Sequence, residues 1–334
     1  MNHELPAGAF DALAPQHVLT IVEQISGERL NGVVTPYASY VNRVYGLQTD
    51  DGRRLVAKFY RPGRWDLAAI EDEHELLADL AAAEVPVVAP LIDDEGDTLA
   101  VAELEAAGGE LLDVPVALFP HRGGRSFDAD TDEDWFRLGA IVGRMHAVAA
   151  GGTAPARRHL NADWTRGYLS YLEQEQVIHP EIAPEFTGLC RRMMDELEPM
   201  LSGVETLRIH GDCHRGNILD RVDEGLLLID FDDMMTGPAV QDLWLLLPDR
   251  VEACRREITM LLDGYGDFRA FDRRELRLVE PLRLMRMIHF LAWRARQRHD
   301  NWFRRQEPEW GNHAFWVREL EDLREQVRVI RSDA

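Results

Sequence analysis

Leu207-Arg208-Ile209-His210-Gly211-Asp212-Cys213-His214-Arg215-Gly216-Asn217-Ile218-Leu219 passes from one apolar segment, through a polar loop, into a second apolar segment. The loop carries a carboxylate at Asp212 and, five residues on, an amide at Asn217. One turn later Leu226-Leu227-Leu228-Ile229 leads into Asp230-Phe231-Asp232-Asp233, so a further carboxylate stands at the end of an apolar strand. His, Gly, Asp and Asn at these offsets would arise by chance in a chain this long on the order of once in several hundred sequences, with residues taken as equiprobable. A bare His-Gly-Asp turn is compatible with a simple loop tie, because such side chains often bond nearby backbone. Strands on both sides and the following Asp230 favour a chemical site.

The residue types fit one chemistry. Phosphoryl transfer needs a carboxylate to position an acceptor hydroxyl, and oxygen ligands for a metal. Asp212 is the candidate for the first task. Asn217 offers the hard oxygen that magnesium prefers, and Asp230 is first in line as a second ligand. Upstream, Val56-Ala57-Lys58-Phe59-Tyr60 sets a lysine in an apolar strand, where an unpaired ammonium would be costly, so Lys58 needs an anionic partner. Glu71, Glu73 and Glu75 on the following helical segment are available, and Glu73 is the candidate, although all three also read as solvated charges. A lysine–glutamate pair aimed at the α/β-phosphates is what kinase chemistry uses. Pro36–Tyr45, where a glycine-rich phosphate loop would stand, contains no glycine, so Ser39 must supply polarity there. Reading His210, Asp212 and His214 as zinc ligands leaves Asn217 and Asp230 unexplained and lacks the usual spacing.

Around this centre the chain changes character once. Ala14–Ile25 has helical apolar spacing, whereas Tyr37–Leu47 and Arg54–Tyr60 are rich in β-branched and aromatic residues and flank a turn signal at Thr49-Asp50-Asp51-Gly52. Asp66–Ala83 is Ala/Leu/Glu-rich and helical; Pro86–Ile92, Thr98–Leu104 and Val114–Phe119 read as strands. After Pro120 helices are expected at Glu133–Ala150, Trp164–Gln174, Pro184–Met200, Arg250–Tyr265, Arg273–Arg298 and His313–Ile330. Leu282, Leu284, Met285, Ile288, Leu291 and Ala292 form an apolar stripe suited to core packing. The expected fold is α+β: a strand-rich lobe with one main helix over residues 1–120, and a helical lobe with an inserted catalytic hairpin over residues 121–334.

The 37 Lys+Arg against 59 Asp+Glu give a net charge of −22. That field disfavours nucleic acid and anionic lipid, tolerates cationic acceptors, and obliges any bound nucleotide to meet locally focused positive charge. Cys190, Cys213 and Cys254 form no C-x-x-C pair, which fits a reducing cytoplasm. Residues 1–10 lack the basic and apolar regions of a secretory signal, and no uncharged run approaches a membrane span.

Ser39-Tyr-Val-Asn-Arg-Val-Tyr45, Val56-Ala-Lys-Phe-Tyr-Arg-Pro62, His210-Gly-Asp-Cys-His-Arg-Gly-Asn-Ile-Leu219, Asp230-Phe-Asp-Asp233, Gly237-Pro-Ala-Val-Gln-Asp-Leu-Trp244 and Glu280-Pro-Leu-Arg-Leu-Met-Arg286 together resemble the aminoglycoside-phosphotransferase/choline-kinase-like branch of the protein-kinase fold. The resemblance runs from about residue 30 to about residue 300 and implies a bilobal kinase that uses ATP and Mg2+. It makes Asp212 the catalytic base, Asn217 and Asp230 the magnesium ligands, Asp230 also part of the catalytic set, and Lys58 the phosphate anchor with Glu73. Ser39 becomes a nucleotide-loop contact, Phe119 an adenine contact, and Asp242 a brace for the catalytic-loop backbone. The acceptor it implies is a serine or threonine hydroxyl of a protein substrate, with autophosphorylation included. A small-molecule acceptor of the aminoglycoside, choline or homoserine type is the alternative, and a non-catalytic nucleotide-gated module a third. A cytoplasmic monomer without nucleic-acid or membrane partners is expected. The departure is the missing glycine-rich loop; His-Gly-Asp in place of His-Arg-Asp sets the chain apart from conventional eukaryotic-type kinases, and the absence of an Ala-Pro-Glu segment after Asp230 is usual in this branch.

Overall fold

The computed structural model describes residues 10, 13–39, 41–105, 109, 111–299 and 301–332. In chain order the first elements are α1 (Pro15–Ser26), β1 (Leu30–Tyr37), β2 (Arg43–Thr49), β3 (Arg54–Phe59), α2 (Leu67–Ala82), β4 (Ala100–Glu105), β5 (Leu111–Pro120) and β6 (Arg125–Ser126). Then come α3 (Asp132–Ala149), α4 (Ala162–Gln174), α5 (Ala183–Leu201), β7 (Leu207–Ile209), β8 (Ile218–Arg221), β9 (Gly225–Leu228) and β10 (Met235–Gly237). The last are α6 (Val240–Trp244), α7 (Arg255–Gly266), α8 (Val279–Gln297), α9 (Asn301–Gln306) and α10 (His313–Ser332). This is the α+β class expected, a strand-rich part with one main helix and a helical part. No helix among the described residues is long and apolar enough to cross a membrane.

The chain divides into two compact units, and the division is not at a single point. The first takes in the chain up to Asp128 together with Ala154–Arg157 and Arg215–Asp232; the second takes in Ala129–Thr153, Arg158–His214 and Asp233 onward.

In the first unit an antiparallel sheet runs in the order β1-β2-β3-β5-β4. Alternate side chains of the central strands, among them Leu55, Ala57, Phe59, Val114 and Val116, meet Val18 and Val22 of α1 in one buried core. Helix α2 starts where Asp66 accepts a hydrogen bond from Ala69 N–H at 2.8 Å, satisfying one orphan donor of the first turn. Strand β1 escapes the alternation rule because Leu30-Asn-Gly-Val-Val-Thr-Pro-Tyr is mostly exposed, and its Pro36 is tolerated on an edge strand. Pro86–Ile92 does not form the expected strand. Pro86 and Pro90 remove donors there, and what remains is a single parallel bridge between Val87 and Leu228. The hairpin of β8 and β9, with β6 beside β8, completes this unit.

In the second unit α3 opens with a capping box, Thr131 and Asp134 exchanging backbone and side-chain bonds. Helices α3 and α7 meet backbone to backbone: a Cβ on Gly139 would lie 1.8 Å from Leu261 O, and one on Gly264 2.0 Å from Phe136 O. The apolar stripe of α8 is buried throughout, as its spacing indicated. The helix begins at Val279 rather than Arg273, residues 273–278 taking a tighter 3-10 form. Pro281 then sits in the first turn, where its missing N–H is no loss. Likewise α7 begins at Arg255, and Arg250 bonds Glu280 and Gln326 instead.

Candidate active site

The first unit buries Lys58 and gives it two carboxylates. Its Nζ lies 3.0 Å from Glu73 Oε1 and 3.1 Å from Asp232 Oδ1. Burial alone would favour the neutral amine, but Asp232 and Glu73 outweigh it and hold the Lys58 ammonium well above the ordinary lysine range. The partners are themselves held. Arg157 Nη2 donates to Glu73 Oε2 at 2.7 Å and Nη1 to the Asp232 carbonyl at 2.7 Å, while Arg64 Nη2 lies 2.9 Å from Asp232 Oδ2. Asn42 Nδ2 donates to Asp232 Oδ1 at 2.9 Å. Against its own desolvation, Asp232 is kept far below the usual carboxylate range by Lys58, Arg64 and Arg157. Glu73 is lowered in the same way by Lys58 and Arg157. Arg157 is anchored in turn, because Asp72 Oδ2 accepts from its N–H and from that of Ala156, at 3.2 and 2.8 Å. Of the three candidate glutamates, Glu73 is therefore the one against Lys58, on the inward face of α2.

Asn217 and Asp230 stand at one end of the β8–β9 hairpin. Ile218 pairs with Leu228, and the Asn217 carbonyl accepts from Ile229 N–H at 3.0 Å, so the residues just outside both strands are neighbours. Asp230 has a left-handed backbone, φ 64°, and its charge is felt at Lys58. An amide oxygen and a carboxylate are hard donors, and this set fits a magnesium ion. Ser39 is half-buried in the segment after β1. Phe119 on β5 packs against Tyr60, Ile70 and Ala117, with its ring 6.1 Å from that of His74.

In the second unit the Asp212 loop is built on Asp242. His210 N–H donates to Asp242 Oδ2 at 2.7 Å and Gly211 N–H to Oδ1 at 2.9 Å. His146 Nε2 lies 3.0 Å from the same Oδ2, and its Nδ1 3.1 Å from Tyr265 Oη. Asp242 thus braces the loop backbone, the role its place in Gln-Asp-Leu-Trp implied. The glycine of His-Gly-Asp has a steric cause: Gly211 has φ 82°, and a Cβ there would lie 2.1 Å from Asp233 O. Asp212 remains a quarter exposed and is met by Arg286 of α8, whose Nη2 lies 2.6 Å from Oδ1. His214 Nε2 is 3.5 Å from Oδ2. Desolvation notwithstanding, His214 and Arg286 hold the Asp212 carboxyl far below its ordinary range.

A model of the phosphotransferase enzyme family matches residues 33–279. The chain belongs to that family. Among its relatives in this phosphotransferase family, stress response kinase A of Salmonella paratyphi A is 34% identical over 333 residues, covering 97% of this chain and 95% of the relative. Serine/threonine protein kinase RdoA of Salmonella typhimurium is also 34% identical over 333 residues, with the same shares covered. Among solved structures, amicoumacin kinase hAmiN in complex with AMP-PNP, Ca2+ and Ami superposes with a TM-score of 0.73 at 19% identity, covering 93% of each chain. That likeness shows the protein-kinase-like fold of the phosphotransferase enzymes.

Sequence reasoning missed Asp232, Arg64, Arg157, Asn42 and Arg286 as members of these sites. Asn42, Asp232 and Arg286 lie inside the quoted motifs, so a signal existed for them. Arg157, in the loop Pro155-Ala156-Arg157-Arg158, gave none.

Proposed function

We propose that this phosphotransferase is an ATP- and magnesium-dependent kinase whose acceptor is a serine or threonine hydroxyl of a protein, working in a bacterial stress response. The observation that carries the donor side is the buried Lys58 ammonium between Glu73 and Asp232. A cation so fixed is preorganised for the α/β-phosphates and needs no reorganisation when they arrive. The acceptor side is supported by relatives named as stress response and serine/threonine kinases over 97% of the chain. Asn217 and Asp230 would hold magnesium, which supplies charge neutralisation on the phosphate oxygens. Ser39 and Phe119 would contact the phosphates and the base.

Asp212 orients the acceptor hydroxyl. It takes up the proton as the acceptor oxygen bonds to the γ-phosphorus, in keeping with a loose transition state. The Asp242 brace fixes where that carboxylate stands. A cytoplasmic monomer with no nucleic-acid or membrane partner goes with this reading and with the net charge of −22.

The likeness to amicoumacin kinase favours a second reading, a small-molecule acceptor. A non-catalytic module has no chemical need of Lys58, Asp212, Asn217 and Asp230 together. The test is incubation with γ-labelled ATP and magnesium, wild type beside Asp212→Asn, offering protein acceptors and small alcohols separately. Label entering protein only with the wild type is expected. Label passing only to an added small alcohol would favour the second reading, and no Asp212-dependent transfer at all would overturn both.

A further inference from the structure

Helices α4 and α8 pack together in the second unit and carry a cluster beside Asp212 that the phosphotransferase chemistry does not require. Trp164 and Tyr168, one turn apart on α4, bring their rings within 4.1 and 5.0 Å of His289 on α8. Arg158 donates to Tyr168 Oη at 2.6 Å, with its guanidinium 5.7 Å from the Trp164 ring centre and 5.8 Å from that of Tyr168. Arg286 stands three residues before His289, hence on the same face of α8, and reaches Asp212. His289 reports on both cations. Burial first, and then Arg286 and Arg158, lower its pKa to about 3, so the imidazole is neutral and the cluster's cations are guanidiniums: Arg286, Arg158 and Arg296, the last 5.3 Å from the Tyr168 ring centre.

This arrangement suits the opposite charge from the one a −22 chain would suggest. A cationic acceptor approaching Asp212 meets a guanidinium already seated on the carboxylate. An anionic one finds a guanidinium with several N–H groups, one hydrogen bond to Asp212 and 39% of its side-chain surface open. Charges elsewhere on the chain are screened beyond roughly 8 Å at physiological salt, so this short-range pair decides.

Resting on the kinase reading above, we propose that Arg286, backed by Arg158 and the Trp164–Tyr168–His289 cluster, recognises a carboxylate on the acceptor, so that the hydroxyl presented to Asp212 has a negative charge beside it. Arg286 is then shared. On acceptor binding it turns toward the incoming carboxylate, and Asp212 regains the basicity that Arg286 removes. The acceptor O–H bond breaks as its oxygen bonds to the γ-phosphorus. The bond from phosphorus to the bridging oxygen breaks, ADP leaves with that electron pair, and the proton passes to Asp212 and on to solvent.

The test has a binding arm and a transfer arm. In the first, calorimetry measures binding of a short peptide in which alanine replaces the acceptor serine and aspartates flank it, to the wild type, Arg286→Ala and Arg286→Lys. At least tenfold weaker binding to Arg286→Ala, partly restored in Arg286→Lys, is expected. Binding that does not depend on Arg286 overturns the proposal whatever the enzyme transfers. In the second, kcat/KM is compared for serine peptides with acidic, neutral and basic flanks, and for a small hydroxy acid beside an amino alcohol. The wild type should favour the acidic member of each series at least tenfold, and Arg286→Glu should reverse the order. An order unmoved by Arg286→Glu, as expected if Arg286 only steadies Asp212, overturns it. The peptide and hydroxy-acid series distinguish a protein source of the carboxylate from a small-molecule one. Absence of any transfer above the Asp212→Asn background fails the kinase reading instead, and the binding arm still decides the proposal.

Discussion

The Lys58 network and the Asp212 pair are both ion pairs within one chain, yet they are built on opposite plans. Around Lys58 the charges of Glu73, Asp232 and Arg157 are buried and each has two or more partners: Glu73 is shared by Lys58 and Arg157, Asp232 by Lys58, Arg64 and Asn42, and Arg157 reaches both Glu73 and the Asp232 carbonyl. Asp212 and Arg286 are partly open to water, 26% and 39% exposed in their side chains. Buried pairs are expensive to break because the survivor is left charged in a poor solvent, whereas exposed pairs exchange partners at small cost. The first plan holds a cation still; the second allows a side chain to change partners when a ligand arrives.

That contrast can be broken in four places. The largest effect is expected from Asp212→Asn, which should lower kcat by about 10²–10⁴-fold with little change in the denaturation midpoint. A large loss of stability would show that the Asp212 pair is structural after all. Arg157→Met should do the reverse. Leaving Glu73 and the Asp232 carbonyl short of a donor should destabilise the fold by about 3–5 kcal/mol in urea titration, with activity following stability. A shift below about 1 kcal/mol would mean that the network is looser than its distances indicate.

The third test is pH. His74 is buried, bonded to Tyr60 Oη and to Thr98 Oγ1, and desolvation lowers its pKa from 6.5 to about 4. Between pH 6.5 and 4 the unfolded chain takes up a proton at this residue that the folded chain does not. Its stabilisation is therefore complete above pH 6.5 and lost as pH falls toward 4, by at most about 3 kcal/mol. Removing the imidazole with His74→Gln should flatten that part of the stability curve. Asp212 and Asp232, both lowered, lose their contribution only in stronger acid. The smallest effect is expected at Arg166, which touches Asp163, Asp195 and Glu198 on the surface. Arg166→Ala should cost under about 1 kcal/mol, and less still in high salt.

What could be read from the sequence followed local rules. Apolar periodicity placed α1, α2, α3, α4, α5 and α10 closely, and strand-ending acids placed the hairpin carrying Asn217 and Asp230. Lys58 was legible because burial in Val56-Ala57-Lys58-Phe59-Tyr60 demands a partner, but which glutamate answers it depends on the rotation of α2 against β3. Arg157 lies some 80 residues from Glu73 in the chain and sits in a loop without period, so only the fold brings them together. Arg286 stands at the end of the motif Glu280–Arg286, which gives it a place but no partner. Its meaning comes from the turn at Gly211 that sends Asp212 toward α8. Strand β1 was missed because both of its faces carry polar or small residues and its order comes from β2.

Gly211 also limits the roads open to descendants of this gene. A glycine codon is one base change from arginine, so mutation must often offer the His-Arg-Asp loop found in other kinases. The carbonyl of Asp233, where a Cβ would come within 2.1 Å, rejects it and every other side chain alike. Crossing from one loop form to the other would require the Phe231–Asp233 turn to retreat first, so that single base change meets a steric cost before it can bring any benefit.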